Sequence, residues 1–246
     1  ADSIPQCVEK GKVFQMRFCK NCGYVSQNME EKRCPKCGLE LAKFEHVDKE
    51  CVDIAKDYAI KLNEILKEEF AFVNIIAAFS GHRGFHVVVE LDEDLRFMDS
   101  DDRREIALYI RPDERHVNYV VEQLTKSAKH KKFTPLPPRI SDGGLRRRIA
   151  LALLNYANDN AKRFILGVSN TLTHLEAQEL LNVLTNRIDE IARAISIPID
   201  IKVTIDITHL VRAPDSVNGK TGWRARKIED LDLDKFELSP QSLGIS

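Results

Sequence analysis

Two Cys-x-x-Cys-Gly elements, Cys19-Lys-Asn-Cys22-Gly and Cys34-Pro-Lys-Cys37-Gly, stand eleven residues apart. Each turn aims two thiolates at one point, and the glycine lets the backbone close tightly. Together they supply the four soft ligands of a tetrahedral zinc, so residues 12–45 are read as a zinc ribbon. A closed four-thiolate site leaves no open position, so the metal is expected to be structural and not catalytic. The competing reading, two unrelated redox or buried thiol pairs, does not account for the repeated glycines. Six cysteines arranged this way in 246 residues favour metal over a disulfide framework, and with it a reducing compartment. Cys7 and Cys51 fall outside the pattern, and Cys51, at the start of a predicted helix, reads as a small buried hydrophobe.

The rest of the chain is organised around that ribbon. From Cys51 to Phe70 the residues Val52, Ala55, Ala59, Leu62, Ile65 and Leu66 recur at helical spacing, with Asp48 placed to cap the helix. Val73–Phe79 and His86–Leu91 read as adjacent strands around Ser80-Gly81-His82-Arg83-Gly84. Residues 99–195 are predicted mostly helical, broken by a loop with Pro135, Pro137 and Pro138. Within them Thr173-His-Leu-Glu176 spells a capping box. Strand character returns at Ile199–Ile205, then a short helix over Ile207–Arg212 and a loop over Pro214–Gly222. The expected fold is mixed α/β (α+β). Residues 1–98 form part of a core carrying the ribbon, 99–195 a helical insertion, and 196–246 the rest of the core and a tail. The formal net charge is -1, so any grip on nucleic acid must come from local patches or from a partner. No apolar stretch approaches membrane-spanning length, and the N-terminus lacks a secretion signal. The chain begins at Ala1 without Met and reads like a cut inside something longer.

Three groups of residues could carry chemistry. In Ser80-Gly81-His82-Arg83-Gly84-Phe85-His86 the glycines let the backbone approach an anion, and Arg83 can hold a phosphate through two donors. An ordinary hairpin turn with surface charges explains the same spacing equally well. In the second group, Asp200 on a strand precedes Asp206, His209, Arg212, Asn218 and Lys220, a fair pattern for a metal-plus-phosphate site. Asp206 is read as a helix cap and Asp200 as functional. The third group is basic: residues 126–148 hold eight Lys or Arg and one acid, Asp142, densest at Lys129, Lys131, Lys132, Arg146, Arg147 and Arg148. It reads either as a DNA-phosphate patch or as a solvated helix face.

At the first two groups the chain resembles the catalytic (small) subunit of archaeal and eukaryotic DNA primase. Ser-Gly-His-Arg-Gly-Phe-His looks like that family's Ser-Gly-Arg-Arg-Gly-x-His element. The run from Pro198-Ile-Asp200 through His209-Leu-Val-Arg212 to Lys220-Thr-Gly222 looks like its closing motif. The cysteine segment lies where the family carries its zinc motif. The compact helical insertion makes the likeness archaeal. His82 stands where relatives often have Arg, and Asn218 where they often have His.

The resemblance implies a primase-type core with a mixed sheet flanked by helices, in an enzyme that makes short primers on single-stranded DNA by two-metal nucleotidyl transfer. Asp200 would be a metal-binding carboxylate for magnesium or manganese. Ser80, His82, Arg83, His86, His209, Arg212, Asn218 and Lys220 would line the pocket for the incoming nucleoside triphosphate. The family's first two metal-binding aspartates form an Asp-x-Asp strand just before the position matching Ala1. Asp2 matches neither, so these 246 residues by themselves are expected to be inactive or nearly so. The Asp230-Leu-Asp232-Leu-Asp234 run imitates the pattern but reads as a solvated surface strand or tail. The implied partners are the large primase subunit, a DNA template and nucleoside triphosphates, without a membrane. The implied location is cytoplasmic in an archaeal host, or nuclear in a eukaryotic one. Two other readings remain: a non-catalytic zinc-ribbon module that binds nucleic acid or protein, and a related primase-polymerase of a repair or plasmid system.

Overall fold

The computed structural model describes Cys7 and residues 13–129, 137–228 and 232–238. They divide into two compact units, residues 1–97 with 208–246, and residues 98–207. The expectation had placed 196–207 with the first unit; in the structure they belong to the second.

The first unit begins with the ribbon. Strand β1 (Val13–Phe18) lies between β2 (Val25–Ser26) and β3 (Ala42–Val47), antiparallel to both. The register pairs Gln15 with Glu45 and Phe18 with Ala42. Helix α1 (Lys49–Glu68) follows at once, because the Asp48 side chain accepts from the Glu50 amide at 2.9 Å. Its 20 residues span about 30 Å and bury Cys51, Val52, Ala55, Ala59, Ile65 and Leu66. Strands β4 (Ile75–Phe79) and β5 (Phe85–Val89) form a hairpin, and β6 (Arg226–Ile228) pairs with the other edge of β4. Among the described residues both sheets are antiparallel throughout; a mixed sheet had been expected.

The core of this unit gathers Val47, Phe79, Trp223, Ile228, Leu233 and Phe236. The aromatic rings of Phe79, Phe85, Trp223 and Phe236 lie 5.2–5.9 Å apart at tilted or edge angles, a favourable arrangement for their quadrupoles. Two expectations fail here. The Asp232–Asp234 run is no solvated tail: a short 3₁₀ turn, Leu233–Lys235, buries Leu233 and sends Phe236 into the core. Cys51 is not a lone hydrophobe either. It is bonded to Cys7, with the Cα atoms 5.8 Å apart and both residues fully buried. The chain therefore carries both a thiol cluster and a disulfide, which removes the argument for a reducing compartment.

The second unit is helical. Among its described residues are α2 (Ser100–Ile110), α3 (Glu114–Lys129), α4 (Gly144–Leu153), α5 (Asp159–Ile165), α6 (His174–Asn186), α7 (Ile188–Ile195) and α8 (Ile201–Ile205). The capping box of α6 forms as written, with Glu176 N–H to Thr173 Oγ1 at 3.2 Å and Thr173 N–H to Glu176 Oε2 at 2.8 Å. Asp99 and Asp102 build a second box at α2. Val117, Val121, Ile149, Leu153, Leu184 and Ile191 are among the side chains that close the core. No helix among the described residues is long and apolar enough to cross a membrane.

Arg148 holds this unit together. Its side chain is buried and donates to the carbonyls of Tyr109 (2.8 Å), Ile195 (3.4 Å) and Ile110 (3.5 Å), while its guanidinium lies 4.8 Å from the Tyr109 ring centre. It thereby satisfies C-terminal carbonyls of both α2 and α7, which have no partner within their own helices. Arg148→Ala should cost ~2–4 kcal/mol in denaturant unfolding by removing these three hydrogen bonds, whereas the exposed Arg147→Ala should stay within ~0.5 kcal/mol. Equal costs would refute the assignment.

Candidate functional site

The two cysteine turns fold alike. In each, the first cysteine's carbonyl accepts from the glycine amide: Gly23 to Cys19 at 3.0 Å, Gly38 to Cys34 at 2.8 Å. Its amide donates two residues past the second cysteine, Cys19 to Tyr24 and Cys34 to Leu39, both at 2.8 Å. Gly23 and Gly38 sit at φ 70° and 73°, the left-handed region this turn demands. The ligand atoms of Cys19, Cys22, Cys34 and Cys37 all lie within 4.8 Å of one another. The resolved contacts are 3.4 Å for Cys19–Cys37, 3.4 Å for Cys22–Cys34 and 3.9 Å for Cys22–Cys37. A tetrahedron with ~2.3 Å metal–sulfur bonds has edges of about 3.8 Å, so the donors fit a tetrahedral metal. The Cys22 amide draws the Cys19 thiol down to about 6. Cys22 is lowered by the Tyr24 amide, but the crowded thiols of Cys34, Cys19 and Cys37 together with burial outweigh this and push it up to about 11. Cys19 thus gives up its proton readily, while Cys22 holds its own until a cation neutralises it.

In the first unit three separate segments meet. The β4–β5 turn closes with Ser80 N–H to Gly84 O at 2.9 Å, and Gly81 takes φ 69°. A Cβ at Gly81 would stand 2.9 Å from both Ala225 N and Trp223 O. The glycine is required twice, by conformation and by this close approach. The opposing segment is a tight turn in which Asn218 N–H donates to Trp223 O and Gly222 N–H to Asn218 O, both at 2.8 Å. The buried Thr221 hydroxyl donates to Gly81 O at 2.6 Å and accepts from Trp223 N–H at 3.2 Å, stitching the two turns together. The third segment is β3, whose Glu45 amide donates to Lys220 O at 2.8 Å.

The Glu45 side chain is fully buried. Arg83 Nη2 forms an ion pair with its Oε1, and His82 Nε2 stands 3.3 Å from the same oxygen. Charge, and not well-aimed hydrogen bonding, holds this carboxylate. Arg83 Nε also points at His82 Nε2, 3.3 Å away. In a neutral ring that nitrogen can accept from Arg83 or donate to Glu45, but not both. Burial lowers the His82 pKa; the Glu45 carboxylate opposes this and Lys220 adds to it. On β5, His86 is lowered by burial and then by the nearby charges of Arg212 and His209.

The structure therefore brings Ser80, His82, Arg83, Asn218 and Lys220 together, with His209 and Arg212 within electrostatic reach of His86. Sequence reasoning missed Glu45 and Thr221. No strand was read from the sequence at β3, where Glu45 takes an inward position next but one to the buried Val47.

Asp200 lies in the second unit, and its local structure reverses the expectation. Residues 201–205 are helix, not strand, and Asp200 is the N-cap: its Oδ1 accepts from the amides of Lys202 at 3.0 Å and Val203 at 3.3 Å. Asp206, the expected cap, is instead the C-cap, and the helix expected over residues 207–212 is absent. The β-branched run had suggested a strand, but the Asp200 cap and the Thr204 hydroxyl bond to Asp200 O at 3.0 Å favour a helical turn.

The basic group shrinks on inspection. Arg148 is internal, and Arg146 is paired with Asp142 at 3.0 Å. Arg147 is exposed, while Lys131 and Lys132, and the Lys129 side chain, lie outside the described residues.

With this geometry in view, comparison with known proteins is decisive. A family model described as DNA primase small subunit matches residues 40–230. The chain belongs to that family. It is 34% identical over 210 residues to the DNA primase small subunit PriS of Staphylothermus marinus, covering 85% of this chain and 50% of the relative. For PriS of Hyperthermus butylicus the identity is 32%, covering 76% and 49%. For PriS of Halobacterium salinarum it is 28%, covering 76% and 55%. The chain spans about half the length of these relatives.

Two outcomes follow from the site's geometry. Gly81→Ala should destabilise by about 2–4 kcal/mol in thermal or denaturant unfolding, from left-handed strain plus the clash with residues 223–225; a cost under ~1 kcal/mol would contradict the close approach. His82 and His86 resist protonation in the folded state, so the unfolded chain binds more protons below the ordinary imidazole pKa of ~6.5. Stability should therefore rise with pH through that range and level off above it. His86→Gln should flatten the slope in melting curves across that window, and an unchanged slope would count against the half-buried ring's resistance to protonation.

Proposed function

We propose that this chain is part of the catalytic subunit of a DNA primase, and that its first unit binds the phosphates of an incoming nucleoside triphosphate. The observation that carries the reading is the meeting of the Ser80–Gly84 turn with the Asn218–Trp223 turn, which gathers Arg83, His82 and Lys220. Family membership adds to it. In this reading Arg83 and Lys220 neutralise phosphate charge, and the glycine-lined turn lets backbone amides approach the anion. Ser80, His86, His209, Arg212 and Asn218 complete the pocket lining.

Nucleotidyl transfer also needs the 3′-hydroxyl activated and the leaving diphosphate neutralised, which is the chemistry magnesium or manganese supplies when bound. Asp200 is the carboxylate of this chain assigned to that metal. Both of its capping bonds fall on Oδ1, so Oδ2 is the oxygen proposed to face a cation. A single carboxylate holds magnesium weakly, so Asp200 would act with further carboxylates of the whole subunit, and the 246 residues on their own would make primers poorly or not at all. The four-cysteine cluster is assigned to a structural zinc that pins the ends of β1 and β3. Single-stranded DNA as template and a large subunit as partner are the interactions a small primase subunit implies. Arg147, exposed on α4, is proposed to contact DNA backbone.

Primer synthesis on single-stranded DNA by the natural-length subunit, wild type beside Asp200→Asn, tests the reading. Activity should fall at least ~100-fold in the variant, as expected when a metal-binding carboxylate is lost. Retained activity would move the metal site elsewhere. Elemental analysis should find one zinc per chain, and Cys22→Ser with Cys34→Ser should lose it. A chain that is fully folded and metal-free would refute the zinc assignment.

A further inference from the structure

Glu45 has no part in the proposed function, yet its carboxylate is fully buried. An ionised carboxylate removed from water is strongly destabilising unless paired. Glu45 is fully buried, and it occupies an inward position of β3 where an apolar residue would pack against Val47 and the core. Neither of its oxygens receives a well-aimed hydrogen bond. What faces it is the pair of residues at the tip of the phosphate-binding turn. Arg83 Nη2 meets Oε1, and His82 Nε2 lies 3.3 Å from the same oxygen. The exposures are graded: Glu45 side chain 0%, Arg83 15%, His82 23%. The carboxylate is therefore the deepest of the three, and the guanidinium and imidazole are nearer to solvent. Its own backbone amide is tied to Lys220 O at 2.8 Å, so β3 also anchors the second turn of the pocket.

We propose that Glu45 is the positioning residue of the phosphate-binding loop, a buried anion that fixes the Arg83 guanidinium and the His82 ring in the orientation that receives a nucleoside triphosphate. The proposal rests on the assignment of that loop to phosphate binding. The physical argument is preorganisation. Arginine carries considerable rotamer freedom, and a fixed counter-charge behind it removes that freedom before the ligand arrives. A second effect opposes this: a carboxylate near the phosphates repels them. Positioning dominates because Glu45 is the deepest of the three, with the guanidinium nearer to solvent, and because a half-buried Arg83 without its counter-charge would swing out toward water. Glu45 does not touch substrate in this account. It acts through Arg83.

The test is triphosphate binding to this chain by calorimetry, using ATP with magnesium as the probe, for wild type, Glu45→Gln, Arg83→Ala and the double variant. Glu45→Gln should weaken binding about tenfold, the loss expected when a side chain that makes the contact is no longer held in place. Against Arg83→Ala, the further change Glu45→Gln should have a much smaller effect, since of the two residues it positions only His82 is left. That non-additivity separates positioning from general destabilisation, which would weaken binding equally in both backgrounds. Should Glu45→Gln fail to fold, Glu45→Asp serves instead: it keeps the charge but withdraws it by one methylene, and should weaken binding several-fold with the same non-additivity. Tighter binding in Glu45→Gln, or an equal loss with and without Arg83, would overturn the proposal. If Arg83→Ala weakens binding and Glu45→Gln does not, the loop assignment stands and the Glu45 proposal alone fails. If Arg83→Ala binds as wild type, the loop assignment fails and the Glu45 proposal falls with it.

Discussion

The first unit depends on one close approach. At Gly81 the β4–β5 turn runs so close to residues 223–225 that a Cβ would stand 2.9 Å from both Ala225 N and Trp223 O, nearer than a side chain can sit. Once that contact is made, the Thr221 hydroxyl reaches Gly81 O and Trp223 turns into the core against Phe79. The turn carrying Lys220 then lies against β3 through the Glu45 amide. Arg83, His82 and Lys220, some 140 residues apart in sequence at their extremes, share one locality because a hydrogen atom replaces a side chain at one position. A larger residue there would separate the turns and disperse the charges.

Electrostatics inside this locality are finely divided. Glu45 is buried against two residues whose own charged forms are disfavoured by burial, His82 and Arg83. On the neighbouring strand, His86 is kept neutral by burial and by Arg212 and His209. An anionic ligand would reverse that balance, since each of these groups is more readily charged beside a phosphate. The two imidazoles are thus cationic in potential, beside the Arg83 guanidinium, which is charged throughout.

Much of this was legible in the residues. The paired Cys-x-x-Cys-Gly turns, the Asp48 cap, the Thr173–Glu176 box and the glycine turn between two strands are local patterns, and local geometry decides them. Three of the misses share a cause: each depended on what a residue meets far away. Arg148 reads as one of three consecutive arginines, but its partners are carbonyls at 109, 110 and 195. Cys7 and Cys51 are 44 residues apart, and nothing in their spacing announces a bond. Glu45 sits on an ordinary-looking strand, and its ion pair with Arg83 exists only once the hairpin folds over it. Asp200 and Asp206 were exchanged because a β-branched run favours strand by propensity, while the cap at Asp200 and the Thr204 back-bond decide the outcome.

The central claim is that two remote turns form one phosphate site, and a double-mutant cycle tests it most directly. Binding of nucleoside triphosphate would be measured for Arg83→Ala, Lys220→Ala and the pair together. If the two cations grip one polyphosphate, the combined loss departs from the sum of the single losses by a clear coupling energy, on the order of 0.5 kcal/mol or more. Strict additivity, or a loss confined to one of the two variants, would mean that the turns meet in the fold without sharing a ligand.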